Sequence, residues 1–439
     1  MSNVRNFGAT GDGVTDDTNA ILHAVADGDG VLHFPRGMYL ISQTIEIPLG
    51  KGGPMGISGN EGTATIAMAG AGPAIRLTGN HEGTGDPGSV KPGIWKDERM
   101  PTIRNLVVEG RHEDADGIEL SGTMQALFEG VLVRRVRHGI RLVKRNRNVL
   151  ISHCHVYHNT GVGIFLDDVN LHQINIAGSH ISYNRMGGIR IERSEVRNIQ
   201  ITGNDIEYNN AQSHKGLPSE PTAEIYIDTT EAGASVNEVT IASNTIQATG
   251  STGGANIRIK EDAQRKDRPP GLWAISGNVI GSQENNVHLS GCYGVALSGN
   301  TIYSCLKRNL LIENCRQISV TGCNFRRHTE QYGTGVRIVD SVECVLSGCL
   351  FRDESEKGQS SGGSLLEIVN SERITVGTSQ LIDGVPFGVN VEKCGDVRIS
   401  NCTIADTRET RMAAGTVKVR DSKDVVVSDC SLDVEADAG

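Results

Sequence analysis

Aromatic side chains make up only 4% of this 439-residue chain, and 12 prolines stand against 54 glycines. So little aromatic mass leaves a conventional globular core short of its largest fillers. The glycine excess suits many short strands joined by tight turns. A basic surplus is also missing. The formal net charge of −10 argues against the cationic surface that draws nucleic-acid phosphates. It weighs mildly against a polyanionic substrate too, unless a locally basic groove overrides it. No apolar run reaches membrane-spanning length and none follows Met1, so neither a membrane segment nor a signal peptide is expected. A cytoplasmic protein or a mature secreted form fits equally. The ten cysteines form no C-x-x-C pair and no metal-finger spacing.

What is present is a repeat. Residues 163–210 hold two near-copies of one unit, GIFLDD…INIAGSHISYN and GIRIER…IQITGNDIEYN. Strands of the form G-I-x-L begin at Gly117, Gly139, Gly163, Gly188, Glu224, Asn256, Asn286, Asn309, Gly335, Leu365, Gly388 and Thr416, 22 to 36 residues apart. A second strand follows from Gly139 onward, with one small polar residue at Cys154, Ser179, Asn204, Asn244, Asn278, Asn300, Cys323, Cys349, Ser379, Cys402 and Cys430. Units that return to their starting point and vary in length through one-sided insertions define a solenoid. Stacked coils place equivalent residues ~4.8 Å apart, so a column of buried amides can bond from level to level. Cys and Ser are small substitutes at the same bend, and reduced thiols are expected. The expected fold is all-β: a single-stranded parallel β-helix of about a dozen coils. Residues 51–100 look irregular, with AIRL at Ala74 the one clear coil strand and 79–101 a long surface loop.

The N-terminal segment carries Phe7-Gly8-Ala9, Gly11-Asp12-Gly13, Thr15-Asp16-Asp17 and Phe34-Pro35-Arg36-Gly37-Met38-Tyr39. In these residues it resembles right-handed parallel β-helix proteins related to pectate lyases and family 28 glycoside hydrolases. That resemblance implies that residues 1–50 cap the solenoid and that 51–439 continue it as one domain. Thr15 or Asp16 is expected to start a short helix with Ala20, Ile21, Ala24 and Val25 as its apolar stripe. Arg258-Ile259-Lys260 matches a triplet of the hydrolases and Asp167-Asp168 resembles their double Asp, while their N-T-D and G-H-G motifs are absent. A substrate cleft on the G-I-x-L face is what the resemblance implies.

Strand alternation points x and the residue after L outward. This reading lines up Glu119, Arg141, Phe165, Arg190, Tyr226, Arg258 and His288 in one row, and Asp167, Glu192, Asp228 and Lys260 in the next. Glu224 adds a carboxylate at a strand head, and insertions at 209–223 and 261–271 border these levels. Asp167, Glu192 and Asp228 are the expected catalytic acid/base and nucleophile, with Glu224, Tyr226, Arg190, Arg258, Lys260, Phe165 and Arg141 contacting substrate. Adjacent-coil carboxylates at ~5 Å suit a retaining glycosidase, and Asp167 with Asp228, two coils apart at ~10 Å, is wide for an inverting one.

Three functions follow from this face. The first is hydrolysis of a poly- or oligosaccharide without a cofactor. The second is a lyase or epimerase acting on a uronic-acid polymer, in which Asp167, Glu192, Glu224 and Asp228 hold Ca²⁺ and Arg258 or Lys260 serves as base or charge neutraliser. The third is a non-catalytic glycan-binding fibre of the tailspike kind. A homotrimer packed side by side is the expected assembly. A second polar group, His155/Tyr157/His158, His180/Tyr183 and Asp205/Glu207/Tyr208, is read mainly as serving a turn, with a catalytic histidine as the competing idea. Zinc at His153/Cys154/His155 is not expected, because alternation turns Cys154 inward.

Overall fold

The computed structural model describes residues 1–51, 53–210, 222–262, 264–265, 271–355, 363–433 and 437–438. The backbone divides into two compact units, residues 1–217 with 231–236 and residues 218–230 with 237–439. Each is a parallel β-solenoid, and together they make about 16 turns.

Three strand columns build each unit. In the first unit the G-I-x-L column runs through Ile45, Ile75, Ile118, Ile140, Ile164 and Ile189, paired in parallel and in register. The ladder column runs through Ile103, Phe128, Ile151, Ile176 and Ile201, and a third through Val108, Val133, Val156, Ile181 and Ile206. All of these side chains are buried. Each contributes roughly 1.5–3 kcal/mol by leaving water. The second unit repeats the plan, and where it needs larger fillers Phe325 and Phe351 stack with centroids 5.0 Å apart.

The polar column behaves as its spacing predicts. The Cys154 amide donates to Ser179 Oγ at 3.1 Å, and the Ser179 amide to Asn204 Oδ1 at 2.9 Å. Asn278 Nδ2 donates to Asn300 Oδ1 at 3.0 Å. A second ladder, at the bend after the G-I-x-L strand, was not expected. Cys292 donates its amide to Cys315 Sγ, Cys315 to Ser341 Oγ, Ser341 to Ser371 Oγ and Cys394 to Ser422 Oγ. The ten cysteines are unpaired and nine are buried. Burial pushes the Cys154 thiol up to about 11 and Cys344 up to about 12.

Three expectations change. The helix is Thr18–Asp27, because Asp12–Asp16 is a strand and the Asp17 carboxylate is spent on the Thr10 and Gly11 amides. Thr18, Ile21 and Ala24 are its buried residues. The AIRL segment lies in the strand Gly72–Thr78 as expected, but the stretch before it is not irregular: Gly56–Ser58 and Ala64–Met68 are solenoid strands whose Gly, Ala and Met residues hide the motif. Residues 79–101 are not a free loop, since Val90 and Ile94 pack on Met124 and Glu98 accepts both the amide and Nδ2 of Asn80 at 2.7 Å.

Candidate functional site

In the first unit the outward column is a chain of ion pairs. Arg76 bridges Glu46 and Glu119, and Arg141 bridges Glu119 at 3.1 Å and Asp167 at 2.6 Å. Arg193, on the turn, reaches the other Asp167 oxygen and lies 3.5 Å from Glu192, whose second oxygen holds Arg190 at 2.6 Å. Asp167 and Glu192 are register neighbours, as expected. Burial works to raise the Asp167 carboxyl, but hydrogen bonds and charge from Arg141 and Arg193 outweigh it and hold it below the usual range. Both of its oxygens are committed to cations.

Phe165 departs from its expected role. It stands between Arg141 and Arg190 in register, yet it is only 7% exposed and lies 5.2 Å from the His138 ring. That packing removes it as an open platform for sugar.

In the second unit, register places Tyr226, Arg258 and His288 on successive rungs, and Asp228, Lys260 and Ser290 beside them. Tyr226 donates to Asp228 Oδ2 at 2.8 Å and Lys260 Nζ reaches the same oxygen at 3.1 Å, while Thr230 donates twice to Oδ1. Burial raises the Asp228 carboxyl, and the bonds from Thr230, Tyr226 and Lys260 bring it down below the usual range. Arg258 donates to the Gly253 carbonyl; among the described residues no carboxylate lies within ion-pair distance of it. Burial lowers its pKa. His288 lies 3.2 Å from Glu313, and burial, followed by the Arg258 charge, lowers its pKa despite that carboxylate. The imidazole is therefore uncharged at neutral pH.

Glu224 also departs from expectation, being fully buried. Its strand position aligns with Asn256, Asn286 and Asn309, all at 0% exposure. Asn256 Nδ2 donates to Asn286 Oδ1 at 3.1 Å. The chain bends just before the inward Ile, so this position turns into the core, where the first unit uses Gly117, Gly139, Gly163 and Gly188. With Glu224 buried, and the oxygens of Asp167 and Asp228 held by cations and donors, these carboxylates do not fit a calcium cage. Of the expected groove walls, residues 211–221, 263 and 266–270 lie outside the described residues. Trp273 is core at 3% exposure.

Two groups went unread in the sequence. His288 stood in the outward row without a named role. Glu261, directly after the Arg258-Ile259-Lys260 triplet, accepts the Tyr293 amide at 3.3 Å, and burial pushes its carboxyl up to about 7. On the third column of the first unit, the asparagines do serve the turn: Asn159 donates to Asn184 at 2.8 Å and Asn184 to Asn209 at 2.6 Å. Beside them Tyr183 and Tyr208 stack at 5.4 Å. His180 there lies 3.8 Å from Asp205 and 3.6 Å from Glu207, a trio compact enough to hold a divalent cation. Cys154 is buried away from any such ion.

Comparison with known proteins agrees with this architecture. A family model described as rhamnogalacturonase A/epimerase, pectate lyase-like, matches residues 1–85, and one described as right handed beta helix region matches residues 93–259. Each model matches less than half of the chain; with the parallel β-solenoid seen here they are consistent with pectate lyase-like β-helix proteins. The Dettilon tailspike protein is similar over 95% of this chain and 68% of its own, with 14% identity and a TM-score of 0.53. Pre-mature gene product 12 of bacteriophage phi29 matches over 99% of this chain and 56% of its own, also with 14% identity and a TM-score of 0.53. These likenesses are of fold. A glucan 1,3-beta-glucosidase of Cochliobolus carbonum is 50% identical over 50 residues, and a non-secreted LysM effector of Penicillium expansum is 48% identical over 56. Those matches span only 6% and 4% of the two curated relatives.

Proposed function

We propose that the second unit acts on an acidic polysaccharide, as a lyase or epimerase that removes the proton alpha to a uronate carboxylate. The observation that carries this reading is Arg258, a cation with no carboxylate within ion-pair distance among the described residues, set on the rung beside His288, whose pKa burial lowers. A substrate carboxylate at Arg258 gains a charge-assisted, bidentate partner. Lys260 adds a second positive charge that steadies the enolate-like carboxylate formed as the proton leaves. His288 accepts that proton, and Glu313 stabilises the resulting imidazolium. In elimination, the electron pair of the broken C–H bond forms the double bond and the glycosidic C–O bond breaks. Tyr226, oriented by Asp228, then protonates the leaving oxygen. In epimerisation a proton returns to the opposite face instead and no bond of the chain is cut.

The description of the family model matched at residues 1–85, which names rhamnogalacturonase A and an epimerase as well as pectate lyases, supports a polysaccharide substrate without choosing among these reactions; its match lies outside this site. Glycoside hydrolysis is the second reading, favoured by Glu261, a carboxyl that burial keeps partly protonated at neutral pH as a general acid requires. The groove aspartates are held too acidic for that role.

Incubation with polygalacturonate, alginate and neutral glucans separates the readings. The lyase form produces ultraviolet-absorbing unsaturated ends. The epimerase form exchanges the alpha proton for deuterium without cleavage. Reducing ends without unsaturation support the hydrolase, and turnover of neutral glucans alone overturns the uronate reading.

A further inference from the structure

We propose that the first unit carries a separate groove that binds a neutral oligosaccharide, on the face of its ladder column. The groove does not depend on the function proposed above. It encloses about 390 Å³, within the range of small-ligand sites. Its rim is a row of four amides, Gln125, Asn148, Gln173 and Asn198, at equivalent bends of successive coils, each with left-handed φ between 53° and 68°. Its floor is the outward row two residues further on, Leu127, Leu150, Asn175 and Gln200, paired level to level.

What sets this face apart is unused hydrogen-bonding capacity. Elsewhere in the first unit amides are tied within the chain: Asn159, Asn184 and Asn209 to one another, Asn146 to Thr123 and two backbone carbonyls, and Asn170 to Glu195. Among the described residues, none of the six groove amides has a side-chain hydrogen bond within the chain, and Asn148 Oδ1 is shielded from water with no partner. Each amide offers two donors and an acceptor, the mixture that sugar hydroxyls need. Met100 and Leu150, 52% and 44% exposed, supply apolar surface for the C–H faces of the rings.

The same lining excludes other ligands. It contains no charged residue, so a phosphate, a uronate or an acidic peptide finds no counter-charge. The strand backbones beneath are paired on both sides, leaving no edge for an added peptide strand. Four levels repeating every ~4.8 Å suit a polymer whose units are about one pyranose long. A neutral glycan chain is the occupant that matches the periodicity, the polarity and the absent charge together.

The test is a titration of the full chain, followed by NMR or calorimetry, with cellohexaose, laminarihexaose and maltohexaose, and with hexagalacturonate as the charged control. At least one neutral hexaose is expected to bind, and hexagalacturonate is expected not to displace it. The double variant Asn175→Ala/Gln200→Ala avoids the left-handed bends and should weaken binding at least tenfold at unchanged Tm. Asn148→Gly, which keeps its bend, should weaken it several-fold. Arg258→Ala, in the other unit, should leave the affinity unchanged. The proposal is overturned if no neutral hexaose binds, if folded Asn175→Ala/Gln200→Ala binds like the parent, or if hexagalacturonate competes.

Discussion

From Glu46 to Glu192 the outward column of the first unit alternates acid and arginine, and every charge in that chain has an opposite charge within reach. On the corresponding rungs of the second unit Arg258 has no acid within ion-pair distance among the described residues and donates to the Gly253 carbonyl, and burial lowers the pKa of His288. Both faces stand on the outward positions of G-I-x-L strands, one set in each unit. A completed ion-pair chain satisfies itself and stiffens the coil, whereas a cation and a neutral base left over are available to a substrate. Functional weight therefore moves from Asp167 and Glu192 to Tyr226, Asp228, Arg258, Lys260 and His288.

The largest effect expected from this contrast is on turnover of a uronate polymer. Arg258→Ala and His288→Gln should each lower kcat/KM by roughly 10²–10⁴-fold, with a Tm close to the parent's. Asp167→Asn should leave turnover within a few-fold. Because the folded pKa of His288 lies below its ordinary value of 6.5, the rate should stay level through neutral pH and fall only below 6.5. If Asp167→Asn abolished turnover while Arg258→Ala retained it, the comparison would be inverted.

Stability should divide the other way. Asp167→Asn leaves Arg141 and Arg193 facing a neutral amide. Breaking a buried pair costs about 3–5 kcal/mol, but both arginines are about one-third exposed or more, so about 2 kcal/mol in a urea melt is expected. The sign with pH is fixed by the depressed carboxyl. Its contribution is present above the unfolded value of 3.8 and is lost as pH falls through the lower folded value. The variant's curve should lack that acid limb.

Glu261 supplies an effect of opposite sign in the second unit. Its carboxyl is raised from 4.5 to about 7, so its contribution is full below pH 4.5 and is lost as pH rises through about 7. Glu261→Gln should flatten the decline in stability across that window. Under the hydrolase reading it would also abolish turnover, and under the lyase reading it would not.

Much of this was legible in the chain. The G-I-x-L strands and the N/S/C column are periodic in composition, and their buried registers follow from the period alone. The Asp167–Glu192 adjacency was legible for the same reason. Their neutralisation was less so, since Arg193 sits on a bend whose direction no strand alternation gives. Glu224 was misread because its bend turns a nominally outward position into the core. The AIRL strand at Ala74 was legible, whereas Gly56–Ser58 and Ala64–Met68 were overlooked because Gly, Ala and Met surround their single Ile. His288 was visible in its row, but its chemistry comes from burial and from Arg258 one coil away.

The smallest prediction probes the far end of the first-unit chain. Glu46 is half exposed and pairs with Arg76, which already holds Glu119 at 2.7 Å. Removing it by Glu46→Gln takes away one surface partner and leaves Arg76 with another, so the loss should stay below about 1 kcal/mol and shrink further in high salt. Glu119→Gln should cost more, because Glu119 is buried between Arg76 and Arg141 and its loss interrupts the chain. A double-mutant cycle between Glu119 and Asp167, which share Arg141, should give a coupling of about 0.5 kcal/mol or more. Additive effects would mean that the pairs act separately and that the first-unit column is an ordinary charged surface.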